Sequence, residues 1–132
     1  MVKKVLFLAA VVYTIALVIV TLVDLNDVPS LGSSFDDKIY HVLAYVGLGF
    51  LWLTYFRPII SKAGFLYVLA VLLVFGMFLE LIQHQINSNR TFDILDLFSN
   101  CLGIVLGTIV AKYCNIYKLN IFKALFILFI IN

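Results

Sequence analysis

The chain has 132 residues, of which 64% are hydrophobic and only 12% are charged; soluble domains are usually about half apolar and about a quarter charged. A water-soluble fold of this length could not bury so much apolar surface, so the composition excludes an ordinary soluble domain and favours a membrane protein. The net charge of +2 comes from scattered basic residues, which is not the pattern of a nucleic-acid-binding surface.

The first apolar segment, residues 5–23, carries no charge and approaches the roughly 20 residues that a spanning helix needs. It follows Lys3 and Lys4, so a signal peptide has to be considered. The apolar run is longer than a usual signal core, and no cleavage site of small residues precedes Asp24. We therefore expect a retained transmembrane helix.

Three further spans are predicted along the chain. A polar segment at 24–38 contains several turn-forming residues. The second span, 39–56, is expected to end at Arg57-Pro58, because proline cannot continue a helix. The third span is predicted at 63–86. The fourth is predicted to begin near Thr91 or Asp93, after another polar break, and to run to Tyr113.

The tail at 115–132 is apolar again but contains Lys118 and Lys123. Two lysines in so short a segment weaken insertion, which favours an interfacial helix; a marginal fifth span is the alternative. No repeat or second domain is visible. The predicted fold class is all-α: a polytopic bundle of four transmembrane helices in a single domain over residues 1–114, followed by this tail.

The distribution of charge predicts the orientation of the bundle. With four spans, all nine basic residues except Lys38 and Arg90 fall on the same side of the membrane. The positive-inside rule places that side in the cytoplasm, with the N-terminus and, if the segment after the fourth span is interfacial, the C-terminus. The acidic residues then fall on, or close to, the outer side.

Polar residues at helical spacing form a stripe on each of the last three predicted helices. Polar side chains are unfavourable in hydrocarbon, so these stripes should face the bundle interior and each other near the outer surface. The two glycines of the last stripe should let a neighbouring helix approach closely. The stripes are Lys38, His41 and Tyr45; Glu80, Gln83, His84 and Asn87; and Asp93, Asp96, Asn100, Gly103 and Gly107.

Glu80 is predicted to lie roughly 6 to 9 Å below the outer surface, given the helical rise of about 1.5 Å per residue. A carboxylate at that depth must be protonated, paired or wetted by a cavity. Lys38 and Arg90 are the only cations predicted on that side. Each is placed where it could pair with Glu80 or attract an anion.

The order and spacing of these residues resemble the VanZ-like family of bacterial membrane proteins. The matching residues lie between about 36 and 111, and each element of the pattern is weak by itself. The family's name-giving member is associated with resistance to the glycopeptide antibiotic teicoplanin. The resemblance implies a protein of the bacterial cytoplasmic membrane. The pattern reads Asp37-Lys38-x-x-His41, Glu80-x-x-Gln83 and Arg90-x-x-Asp93-x-x-Asp96-x-x-x-Asn100-x-x-Gly103-x-x-x-Gly107.

Several of these residues allow a structural as well as a functional interpretation. His41 could form an interhelical hydrogen bond, act as a general acid or base, or bind a metal. Arg90 could anchor to lipid phosphate or bind a substrate anion, and Asp96 could cap the fourth helix. A zinc site can be drawn from His41, Glu80 and His84, but such spacing is common by chance. We expect neither a metal nor another cofactor.

The leading functional hypothesis is an outward-facing polar pocket that binds an amphiphilic envelope molecule, such as a lipid-linked glycan or phosphate, or a lipoglycopeptide. Lys38 and Arg90 would contact an anionic group, and Glu80 and Asp96 would contact hydroxyls or amines or transfer protons. The pocket would also include Tyr45, Gln83, Asp93 and Asn100. The alternatives are an intramembrane hydrolase or transferase that uses His41 with Glu80 or Asp96, a structural or assembly subunit, and, less favoured, a transporter. An oligomer is compatible with each.

Overall fold

The computed structural model describes residues 2–22, 36–86 and 93–114, which form four α-helices. All four are long and apolar enough to cross a membrane, which confirms the predicted all-α polytopic class. Arg90, Asn87 and the tail at 115–132 lie outside the described residues. The helices are α1 (Val2–Leu22), α2 (Asp36–Phe56), α3 (Lys62–Ile86) and α4 (Ile94–Tyr113).

Three of the helices begin earlier than the hydropathy pattern predicts, and α4 begins one residue after Asp93. Helix α2 starts at Asp36, and its first turn contains two aspartates, which the positive end of the helix dipole stabilises. The N-cap of α4 is Asp93, whose Oδ1 accepts a 2.8 Å hydrogen bond from the backbone N–H of Leu95. The interpretation of Asp96 as the cap is therefore wrong, because this residue lies inside the first turn of α4.

Helices α2 and α4 form the most closely packed pair in the bundle. A Cβ atom at Gly103 would lie 2.5 Å from the carbonyl oxygen of Val42, and one at Gly107 would overlap the carbonyl oxygen of Val46. Gly49 makes a similar approach from α2, because a Cβ there would lie 2.5 Å from the Ile104 carbonyl. Only glycine permits backbones this close, so these positions fix how α2 and α4 cross.

The centre of the bundle is small, and much of the remaining apolar surface faces outward. Leu48, Tyr45 and Ile104 are almost completely buried and pack with Leu17 and Leu72. Leu8, Leu66 and Phe98, in contrast, each remain more than 60% exposed. Such exposure is typical of lipid-facing positions on transmembrane helices, where the bilayer supplies the apolar surroundings.

Helix α1 packs against α2 through two hydrogen bonds as well as apolar contacts. The Tyr13 hydroxyl donates to the carbonyl of Ala44 at 2.8 Å, and Trp52 Nε1 donates to Thr14 Oγ1 at 2.9 Å. The polar stripes in the sequence did not predict either hydrogen bond, because the polar group that α1 contributes to each bond is not part of a stripe. These bonds satisfy polar groups that would otherwise lie in hydrocarbon.

The charged residues separate to opposite ends of the bundle. One end, here called the acidic end, contains Asp36, Asp37, Glu80, Asp93 and Asp96 together with Lys38. At the opposite end, here called the basic end, Lys3 of α1 lies beside the end of α2. The Lys3 ammonium is 5.8 Å from the centre of the Tyr55 ring. The basic end also contains Lys4, Arg57, Lys62 and Lys112.

Candidate functional site

Lys38 connects the first turn of α2 to the beginning of α4 at the acidic end. Its Nζ lies 2.7 Å from Asp93 Oδ2 and 2.9 Å from Asp96 Oδ1. A third carboxylate oxygen, Asp37 Oδ2, lies 3.8 Å away. Lys38 was expected to pair with Glu80 or to attract an anion. In the structure its ammonium is held by the two α4 aspartates, so a ligand anion would have to compete with them.

Asp93 is partly exposed, whereas the other α4 carboxylate that Lys38 contacts, Asp96, is buried. The hydrogen bond from Lys38 lowers the pKa of the Asp93 carboxyl below its usual value, and the bond from the Leu95 backbone N–H lowers it further. Both donors favour the charged carboxylate. The cap of α4 and the link to Lys38 are therefore made by the same ionised group.

A second group of polar residues, joined by hydrogen bonds, connects all three helices beneath the ion pairs. His41 Nδ1 lies 2.8 Å from Asn100 Oδ1, and Asn100 Nδ2 donates to Glu80 Oε2 at 3.3 Å. Asn100 is completely buried and Glu80 nearly so. Because the amide N–H2 faces Glu80, its oxygen faces His41, and the histidine must carry a proton on Nδ1 to donate this bond. The other ring nitrogen, Nε2, is then the available acceptor when the imidazole is neutral.

The Nε2 side of His41 faces Asp37, whose Oδ1 lies 3.8 Å away. Asp37 is about half exposed, so this side of the ring lies nearer the surface than the Asn100 side. Asp37 was not among the predicted site residues, although it belongs to the sequence pattern. The signal that could have identified it is its spacing of four residues before His41, which places both side chains on one face of α2.

Tyr45 and Gln83 occupy the next turns of α2 and α3, at the positions that the stripes predict. Tyr45 is 1% exposed, and its hydroxyl has no hydrogen-bond partner among the described residues. Gln83 is also buried. The structure places these side chains, with the Lys38 and His41 groups, on the faces of α2, α3 and α4 that meet inside the bundle. We call the set Lys38, His41, Tyr45, Glu80, Gln83, Asp93, Asp96 and Asn100 the polar cluster.

His84 departs from the predicted stripe because it is exposed on the outer face of α3. The fold therefore does not group His84 with Glu80 and His41, the other two residues of the zinc site considered from the sequence. Among the described residues, potential ligand atoms of Asp37, His41 and Asp96 instead lie within 4.8 Å of one another. The Lys38 ammonium, 2.9 Å from Asp96, already supplies positive charge there, which weakens the attraction for a metal cation.

The model of the family described as VanZ/LLP1 matches residues 7–118 of the chain. The matched region contains all four helices almost completely, and with them the whole polar cluster. No curated protein and no solved structure gives a significant match. Since the match extends over well more than half of the sequence, the chain belongs to the VanZ/LLP1 family, a conclusion that agrees with the resemblance of its sequence pattern.

Proposed function

We propose that the polar cluster binds the headgroup of an amphiphilic envelope molecule, such as a lipid-linked glycan or a lipoglycopeptide. The observation that carries the proposal is the hydrogen-bonded connection of His41, Asn100 and Glu80 across three spanning helices. Polar groups at this depth are unfavourable in a bilayer, and ionisable residues within transmembrane helices frequently serve function. Their position at one end of the bundle suits a molecule whose headgroup lies at the membrane surface.

The balance of charge supports a ligand with hydroxyl or amine groups. Lys38 faces three carboxylates within 4 Å, those of Asp37, Asp93 and Asp96. An excess of acceptors favours donors on the ligand, as sugars and amines provide. A phosphate would instead need Lys38 to leave its partners, or Arg90, which lies outside the described residues, to supply the positive charge.

The buried hydroxyl of Tyr45 offers a further contact for such a ligand. It has no partner among the residues that the structure describes, and leaving a buried hydroxyl unsatisfied costs about 1 to 3 kcal/mol. A ligand oxygen or a bound water that accepted this hydrogen bond would recover that energy. The exposed Ile94, Leu95 and Phe98 on α4 provide lipid-facing surface close by, along which an apolar tail could lie.

Native mass spectrometry of the purified protein with its co-purified lipids tests the proposal. We expect the wild type to retain a defined envelope amphiphile and Glu80→Gln to lose most of it, because the amide lacks the negative charge and keeps only one acceptor oxygen. Asp36→Asn removes one negative charge at the same end, outside the polar cluster, and should retain the ligand. Arg90→Ala reports separately whether the ligand carries an anion that this residue binds.

A purely structural role for the polar cluster predicts a different result. Glu80→Gln would then lower the unfolding temperature in detergent without changing the set of bound lipids. Equal lipid retention in the wild type, Glu80→Gln and Asp36→Asn would therefore contradict the proposal. Thermal unfolding of each variant, measured on the same preparations, separates loss of the ligand from loss of the fold.

One geometric feature favours a second candidate function, an intramembrane hydrolase or transferase. Asn100 accepts from His41 Nδ1 and so orients the ring with Nε2 as a potential base. Purified protein would be incubated with lipid-linked phosphates, and product formation compared between the wild type and His41→Gln. Turnover that disappears in His41→Gln while the bound lipid is retained would support catalysis; absence of turnover in the wild type would contradict it.

The proposed connection with glycopeptide resistance rests on family membership alone. Expression in a susceptible bacterium should raise the inhibitory concentration of teicoplanin if the chain shares the property of the family's name-giving member. Glu80→Gln should then abolish the increase, while Asp36→Asn should preserve it. An unchanged inhibitory concentration with well-expressed wild type would separate this chain from the resistance phenotype.

A further inference from the structure

A cavity lies at the basic end, away from the polar cluster. The C-terminus of α2, the N-terminus of α3 and the C-terminus of α4 surround this cavity, which has a volume of about 470 Å³. Part of its wall is apolar, with Leu53, Phe65 and Leu66 among the lining residues. Its polar lining comes from Arg57, Ser61, Lys62 and Lys112.

The three cations of this cavity have no carboxylate partner among the described residues, since the acidic side chains that the structure describes all lie at the acidic end. Like charges brought together repel one another, and an anion placed between them relieves that repulsion. Lys38 differs from these three cations, because aspartates neutralise its charge.

Two of these cations are held in place by contacts of their own. Arg57 Nη1 donates to the carbonyl oxygens of Ala111 at 2.9 Å and Cys114 at 3.2 Å, where α4 ends. These bonds use one nitrogen of the guanidinium, whose other N–H groups are suited to a phosphate oxygen. Lys112 Nζ lies 5.8 Å from the centre of the Phe65 ring, which is also part of the cavity wall.

The beginning of α3 adds a further preference for an anion. Its first turn contains no acidic residue and begins with Lys62, whereas the first turns of α2 and α4 contain aspartates. A lysine at the positive end of a helix dipole is unfavourable unless negative charge lies nearby. Ser61 Oγ accepts from the Gly64 N–H at 3.2 Å and so orders this turn at the edge of the cavity.

We propose that this cavity binds the phosphate headgroup of an anionic membrane lipid, with Arg57, Lys62 and Lys112 as its ligands. The apolar wall formed by Phe65 and the exposed Leu66 suits the adjoining part of an acyl chain. The positive-inside rule favours the cytoplasmic leaflet for this end. This lipid site is separate from the proposed envelope-ligand site, and either can exist without the other.

The test uses the full chain in detergent, titrated with phosphatidylglycerol or phosphatidylcholine and examined by native mass spectrometry. Lys62→Gln/Lys112→Gln removes two charges from the cavity. Lys3→Gln/Lys4→Gln removes two charges from the same end but outside the cavity lining. We expect wild type and the control to bind phosphatidylglycerol alike, and the cavity variant at least about tenfold more weakly, as for a lost charge-assisted hydrogen bond.

Three results would overturn the proposal. The two double variants could lose phosphatidylglycerol equally, phosphatidylcholine could bind as tightly as phosphatidylglycerol, or millimolar inorganic phosphate could displace the lipid completely, which would indicate a site for the free ion. Lys62→Arg/Lys112→Arg retains the charge and should retain binding. Circular dichroism of each variant shows whether the helices are intact. Any envelope molecule that the polar cluster binds should be retained by all of these variants.

Discussion

Lys38 is the side chain that connects α2 to the beginning of α4. Its ammonium binds Asp93 and Asp96 at 2.7 and 2.9 Å, and Asp96 is largely buried. Breaking an ion pair of this kind is unfavourable chiefly because it leaves a buried carboxylate without a partner. The pair therefore holds α4 in the position that places Asn100 beside His41.

We expect Lys38→Met to lower the free energy of unfolding by about 1 to 3 kcal/mol, less than for a fully buried pair because Lys38 and Asp93 are partly exposed. Thermal or denaturant unfolding in detergent measures the change. Adding Asp96→Asn should restore part of the loss, since it removes the unpaired charge. Equal stability of the wild type and Lys38→Met would show that the ion pairs contribute nothing to holding α4.

The lowered pKa of Asp93 predicts a dependence of stability on pH. A carboxyl whose pKa is lower in the folded state stabilises above its unfolded pKa, and that stabilisation disappears as the pH falls through the folded value. Asp93→Asn keeps a side chain able to cap α4 but removes the charge. The wild type should therefore be more stable than Asp93→Asn at neutral pH, and the difference should begin to shrink near about pH 4 and vanish only below the lowered pKa of the folded state. A difference that does not change with pH would contradict a role for the charge.

At the scale of single residues, the sequence predicted which residues lie in the polar cluster better than it predicted which of them contact one another. Helical spacing placed His41, Glu80 and Asn100 on faces that meet, because the period of an α-helix is fixed. Whether Lys38 would bind Glu80 or the aspartates depends on the relative height and rotation of α2 and α4. Those are set by side-chain packing between helices, which spacing within one helix does not specify.

Among the helices, α2 and α4 are distinguished by the glycines that allow their backbones to touch. A Cβ at Gly107 would overlap the Val46 carbonyl and lie 2.9 Å from the Phe50 backbone nitrogen. Neither atom can move without shifting α2 itself. The small-residue spacing in the sequence predicted close approach of a neighbouring helix, but not that the neighbour would be α2, because any helix can fit such a groove.

We expect Gly107→Ala to destabilise the bundle by about 1 to 3 kcal/mol, the usual range for overpacking a filled interface. Gly64→Ala is the matched comparison, because its Cβ would meet the Ile60 side chain at 3.0 Å rather than another helix's backbone. That replacement should have a smaller effect, since alanine favours helix formation. Unfolding temperatures in detergent compare the two, and a greater loss for Gly64→Ala would contradict the importance of the crossing.

For the whole molecule, the four helices of the described residues were predictable, because an apolar stretch of this length has few stable alternatives to a spanning helix. The precise first residues were less predictable, since charged residues such as Lys3, Lys4 and Asp36 extend helices beyond their apolar segments. The orientation in the membrane rests on charge alone and stays a prediction. So does the interfacial location of residues 115–132, which lie outside the described part of the chain.

Cysteine labelling tests the predicted orientation. With Cys101 and Cys114 replaced by serine, a membrane-impermeant maleimide applied to intact cells should label Ser30→Cys and leave Ile59→Cys unlabelled until the cells are permeabilised. Position 30 lies in the segment before α2, and Ile59 is exposed between α2 and α3. Labelling of position 59 in intact cells would place the basic end outside and reverse the topology.

The close crossing of α2 and α4 has a consequence for how the proposed ligand would reach the polar cluster. His41 and Asn100 belong to two helices that cannot separate easily, whereas Glu80 belongs to α3, which packs less closely against both. We therefore expect that α3, rather than α2 or α4, would move if such a ligand entered; the 3.3 Å bond from Asn100 to Glu80 joins α3 to the other two helices. An outward movement of α3 would break that bond and open the cluster towards the lipid, so the proposed amphiphile would enter laterally from the bilayer.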